Sequence, residues 1–145
     1  MLFRSTTAND LFQINMAATA TASDPILKLQ DSTGANTLLT LRSYTGFNTL
    51  NVLGLDGEDT FNVFVAGTNS AGTAPSRNLF IDGGVPTGKK KSTDNLNLIY
   101  TSPRPSIISS SATQNPQSGL IDVKYGAARF LVQYADIEQV VIRKA

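Results

Sequence analysis

Three acids and two glycines crowd the six residues Gly54-Leu55-Asp56-Gly57-Glu58-Asp59. The chemistry open to such a cluster is ligation of a hard cation. Calcium takes six to eight oxygens from carboxylates and backbone carbonyls, and glycines let a cramped turn expose those carbonyls. Gly54, Asp56, Gly57 and Asp59 are therefore candidate metal ligands, joined by Asp82 of a second turn, Asp82-Gly83-Gly84, with calcium as the candidate ion. The competing reading is a solvent-exposed β-turn whose aspartate caps its own backbone. Three lysines, Lys89 to Lys91, follow the second turn and disfavour a dication there.

Other chemistry is narrowly bounded. The chain has no histidine and no cysteine, which removes a Ser-His-Asp triad, thiol nucleophiles, disulfides and zinc–thiolate sites. Paired carboxylates can hydrolyse a polysaccharide, but only Asp56 and Asp59 cluster, and they do so in a turn. The stretch GGVPTGKK approaches a phosphate-binding loop. Lys90 stands where that loop needs a hydroxyl, and a strand-like run follows instead of a helix. No catalytic residue is expected, and the chain reads as a non-enzyme. The first 72 residues carry three basic and six acidic side chains and the remainder nine and five. That asymmetry is too weak for a nucleic-acid surface.

The elements that must position these residues are strands. Of 145 residues 41% are hydrophobic and only 16% charged, with Thr, Ser, Asn and Gly supplying the polar surface. Plentiful β-branched residues favour strands. Alternating apolar runs predict strands over 12–14, 26–30, 37–42, 49–53, 60–65, 78–81, 95–100, 120–125, 129–134 and 139–142, with glycine, asparagine and serine turns between them. No run is long and apolar enough for a membrane helix. The start MLFRSTTAND lacks the apolar stretch of a secretion signal. An extracellular chain with such a start is expected to be part of a longer protein or exported without one.

One pattern recurs: Asp10-Leu-Phe-Gln-Ile, Asp59-Thr-Phe-Asn-Val and Asp94-Asn-Leu-Asn-Leu, with Asn48-Thr-Leu-Asn-Val as a variant. Fidelity of this kind suits a solenoid, where each coil places equivalent residues over those of the coil below. Leu50/Val52, Phe61/Val63 and Leu96/Leu98 are expected as stacked interior ladders, with Asn51, Asn62 and Asn97 pointing away. The expected architecture is an all-β, irregular right-handed parallel β-helix, the alternative an antiparallel β-sandwich. Residues 1–145 form one domain: repeat coils over about 1–102, a Pro/Ser-rich surface loop over 103–119, and closing strands over 120–145, where Gly126-Ala127 marks either a hairpin or the two sides of a final coil.

The stretch GLDGEDTFN resembles the Gly/Asp nonapeptide of haemolysin-type (RTX) repeats, matching it at Gly54, Gly57, Asp59 and Phe61 and departing at Leu55. Residues 36–145 more widely resemble β-helical repeat regions of large extracellular bacterial proteins. The resemblance implies calcium held between successive turns, which requires tandem copies, and this chain has one good copy. It also implies an extracellular or cell-surface location and a structural or adhesive role. An uncapped coil end pairs readily with another coil. Copies of the chain, or flanking repeats, are thus the expected partners, meeting head to tail through DLFQIN near the start and EQVVIRK near the end. A module that binds surface carbohydrate is the alternative, and a polysaccharide-active β-helix enzyme the third reading. No nucleic acid and no membrane insertion are expected.

Overall fold

A computed structural model describes residues 2–6, 8–17, 26–41, 49–68, 76–84 and 93–145. Alternation of apolar and polar residues at the two-residue period of a strand builds twelve of them: β1 (Leu2–Arg4), β2 (Asp10–Asn15), β3 (Leu27–Asp31), β4 (Thr37–Leu41), β5 (Thr49–Leu53), β6 (Thr60–Val65), β7 (Ser76–Asp82), β8 (Asn95–Tyr100), β9 (Ser106–Ser111), β10 (Gly119–Tyr125), β11 (Ala128–Ala135) and β12 (Gln139–Lys144). No helix occurs among the described residues. The fold is all-β.

The strands form two six-stranded sheets, ordered β1-β5-β7-β11-β10-β9 and β12-β8-β6-β2-β3-β4. Six ladders are parallel and four antiparallel. This mixture corrects both expectations, since neither a wholly parallel helix nor an antiparallel sandwich has it. The short connections β3–β4 and β10–β11 give antiparallel neighbours, because a tight turn can only return the chain beside the strand it has just left. Gly126, at φ 56°, turns β10 into β11, so the hairpin alternative at Gly126-Ala127 is the one observed. Between β3 and β4 the Asp31 carboxylate holds the turn, accepting from Thr33 Oγ1 at 2.7 Å and from the Ala35 N–H at 3.2 Å.

The parallel part alternates between sheets. The pairs β1/β2, β5/β6, β7/β8 and β11/β12 each place one strand in each sheet, in matching order. Equivalent residues lie in register. One sheet aligns Phe3, Val52, Ile81 and Tyr134, with Leu50, Leu79 and Val132 beside them. The other aligns Phe12, Phe61, Leu96 and Val140, and Ile14, Val63, Leu98 and Ile142. Their side chains share one hydrophobic core. The Phe12 and Phe61 rings stack, with centroids 4.7 Å apart. The expected ladders of Phe61 over Leu96 and Val63 over Leu98 are present. Leu50 and Val52 belong to β5, in the opposite sheet. Outside the core, Asn97 Nδ2 donates to Asn62 Oδ1 at 2.9 Å. The Tyr125 hydroxyl, at the end of β10, accepts from the Thr101 N–H at 3.0 Å and so ties one sheet to the other.

Two further expectations are corrected. Residues 103–119 are not wholly loop, since β9 pairs with β10 over its whole length. Asp10–Asn15 cannot form a head-to-tail joint, because β2 already has β3 on one side and β6 on the other. At the other end β12 is an edge strand, bonded among the described residues to β8 alone.

Candidate functional site

Where the chain passes from the first sheet to the second, the turns of successive strand pairs lie on one another. The amide of Ser5 donates to the Leu53 carbonyl at 2.9 Å, that of Gly54 to Asp82 at 2.7 Å, and that of Gly83 to Ala135 at 3.0 Å. At the start of β2 and just before β6, β8 and β12 stand Asp10, Asp59, Asp94 and Glu138, which the strand registers place in one column. Each carboxyl receives the amide of the residue before it in that column. The Asp10 N–H donates to Asp59 Oδ1 at 2.8 Å, the Asp59 N–H to Asp94 Oδ1 at 2.7 Å, and the Asp94 N–H to Glu138 Oε2 at 2.7 Å. The ends are closed locally. Asp10 Oδ2 accepts from the Thr6 N–H at 2.9 Å and from Thr6 Oγ1 at 2.8 Å, and Glu138 Oε1 accepts from Gln117 Nε2 at 3.1 Å.

Asp10, Asp59 and Asp94 are buried, the last two completely. Burial pushes Asp59 up to about 8, with a further rise from Asp94 and Asp10 working against the lowering effect of the Asp10 amide. Asp94 is pushed up to about 7, again mainly by burial, with Glu138, Glu58 and Asp136 adding to it and the Asp59 amide opposing. Asp136 is raised by burial and by its acidic neighbours Asp82 and Glu138.

The glycines of this region follow from the column. A Cβ on Gly54 would lie 2.5 Å from Asp59 Oδ2 and 2.6 Å from the Gly83 carbonyl oxygen, and one on Gly83 would lie 2.6 Å from Asp94 Oδ2. Gly57, at φ 136°, faces the Ala8 carbonyl, 2.6 Å from where its Cβ would stand. Both features of the nonapeptide, its glycines and its final aspartate, thus serve contacts between neighbouring turns.

The residues singled out as calcium ligands face separate partners. Asp59 points into the column. Asp82 Oδ1 accepts from the Gly84 N–H at 3.0 Å, which is the self-capping turn expected for the other site. Asp56 is half-buried in its own turn. The Asp82 turn does lie directly on the Gly54 turn, but among the described residues no three acids are placed to hold an ion. Asp59 does not cap its own backbone in a solvent-exposed turn: it is buried and caps the preceding one. Lys89 to Lys91 lie outside the described residues. The column members overlooked in the sequence are Glu138, Thr6 and Gln117. A signal existed for Glu138, since Glu-Gln-Val-Val-Ile keeps the acid and apolar spacing of the repeat with Glu in place of Asp.

Two surface depressions complete the picture. A hollow of about 440 Å³ on the outer face of the first sheet sets Phe80 among Asn51, Asn78, Gln133, Leu120 and Leu131. A cleft of about 520 Å³ near the end of β10 is bordered by Thr101, Ser102, Arg104, Lys124 and Tyr125. Phe64 is partly exposed on the outer face of the second sheet. Comparison with protein-family models, with curated proteins and with solved structures finds no match.

Proposed function

We propose that the chain is a non-catalytic structural or adhesive module of an extracellular bacterial protein, built as an irregular right-handed β-helix and joined end to end to copies of itself. The observation that carries this reading is the nature of the sheet edges. Among the described residues each sheet ends in strands with one free side, β1 and β9 in one and β4 and β12 in the other. Two antiparallel steps separate β4 from β2 and β9 from β11, so both edges of a sheet run in the same direction. A copy translated along the stack then offers β4 to β12 and β1 to β9, each as a parallel pair. The large exposed apolar residues concentrate there: Leu2 on β1, Leu38 and Leu39 on β4, Ile108 on β9 and Val141 on β12. Unprotected apolar edges are what pair with another chain. The helical reading is supported by four strand pairs crossing between sheets in matching order, with crossovers expected to be right-handed.

Sedimentation across a concentration series tests it. Association should grow with concentration in the unmodified protein and fall at least about tenfold in Leu38→Lys/Val141→Lys, since edge charge opposes pairing. A monomer at every concentration would remove the proposal.

A second reading, a carbohydrate-binding module, is favoured by the Phe80 hollow. An aromatic ring flanked by amides offers a sugar both an apolar face and hydrogen-bond partners. In a glycan screen, binding that survives Phe80→Ala unchanged would rule this hollow out.

A further inference from the structure

We infer that Asp59 and Asp94 hold protons in the folded protein, so that two carboxyl groups of the turn column are neutral and the column loosens when they ionise. The geometry leads there from three sides. Asp59 Oδ2 and Asp94 Oδ2 are buried and have no hydrogen-bond partner, an arrangement that is costly for an ionised oxygen. Each of these atoms also converges with a backbone carbonyl oxygen. Asp59 Oδ2 and the Gly83 oxygen lie 2.5 and 2.6 Å from the point a Gly54 Cβ would occupy, and Asp94 Oδ2 meets the Asp136 oxygen in the same way over Gly83. Both oxygens beside each glycine are acceptors, and a proton on the carboxyl supplies the donor this space lacks: Asp59 Oδ2–H toward the Gly83 carbonyl, Asp94 Oδ2–H toward that of Asp136. Third, the charged groups that the described residues set against the pair are all acidic: Asp10 from the start of β2, Glu58 from the turn before β6, and Asp136 and Glu138 from the turn between β11 and β12. Meanwhile Oδ1 of each carboxyl keeps its backbone amide, which a neutral carboxyl can still accept.

The sign of the pH effect follows. Both groups titrate higher folded than their ordinary 3.8, at about 8 and about 7. Their contribution is complete below about pH 4 and is lost as pH rises through neutrality, because the folded state binds the extra protons. Each retained proton raises the unfolding equilibrium constant about tenfold per pH unit across that window.

Urea unfolding at pH 5, 6, 7 and 8 reads this directly. The midpoint of the unmodified protein should fall steadily with pH, while Asp59→Asn/Asp94→Asn, whose amides imitate neutral carboxyls, should flatten the fall and exceed the unmodified protein at pH 8. A flat or rising midpoint, or an unchanged slope in the variant, overturns the inference. So does recovery of the pH 5 midpoint at pH 8 on adding calcium, which would assign the site to a cation instead. Carbon-13 NMR of the unmodified protein keeps the test independent of variant folding. Two aspartate carboxyl carbons should still show the protonated shift at pH 6, and ionisation of every aspartate below pH 5 would contradict this.

Discussion

Gly54 and Asp59 meet where two turns touch: a Cβ on Gly54 would stand 2.5 Å from Asp59 Oδ2, while Asp59 Oδ1 accepts the Asp10 amide. Glycine and acid at this spacing are plain in the sequence, and so is their recurrence at Gly83 and Asp94. What they touch is not, because each contact lies in another turn, 49 residues away for the Asp10 amide on Asp59 and 35 for the Asp59 amide on Asp94. Local patterns carry no information on which turn lies above which. The contact explains why alanine cannot replace Gly54: its Cβ would press on a carboxyl oxygen and a carbonyl at once. Gly54→Ala should cost about 1–3 kcal/mol in urea unfolding, as overpacking does. An unaltered midpoint would show that the turns are not so closely stacked. The exposed acids behave in the opposite way to the column. Thr33 and Asn36 hold Asp31 down to about 2, and Arg129 and Lys124 hold Asp122 below the usual carboxylate range. Those contributions vanish as pH falls below about 4, while those of the column vanish as it rises, so stability should be greatest near pH 5.

At the scale of elements, the repeat was legible where it is most regular. The Asp-initiated units Asp10-Leu-Phe-Gln-Ile, Asp59-Thr-Phe-Asn-Val and Asp94-Asn-Leu-Asn-Leu are β2, β6 and β8, neighbours in one sheet, with the same inward residues and the same outward amides. Asn48-Thr-Leu-Asn-Val has the same alternation, but its residues 49–52 lie in β5 of the other sheet, since a two-residue period specifies which faces differ and not which sheet receives them. Two strands escaped the reading. β1 has three residues, too few for alternation to register. β9 is mostly serine and exposed, with Ile107 packed on the core. It is ordered by the ladder with β10 more than by its own burial. Edge strands tolerate that composition because half of their backbone groups and most of their side chains remain in water.

For the whole molecule, the ordering of the sheets settles which surfaces are available. The antiparallel hairpin β3–β4 extends the second sheet beyond β2, and β9–β10 extends the first beyond β11. The internal strands are thereby protected, and the free edges move to β1, β4, β9 and β12. No sequence pattern indicated this displacement, because it depends on pairing between segments far apart in the chain. It moves the proposed joint from Asp10–Asn15 to β4 and leaves its proposed counterpart at β12. The absence of cysteine makes a direct test possible. In Leu38→Cys/Val141→Cys the two thiols sit at opposite edges of a six-stranded sheet, about 24 Å apart at the usual strand spacing, too far for a disulfide within one molecule. Mild oxidation of this variant should yield a ladder of covalent dimers, trimers and longer chains, with neither single-cysteine variant extending past dimer. Monomer alone at high protein concentration would contradict end-to-end assembly through these edges.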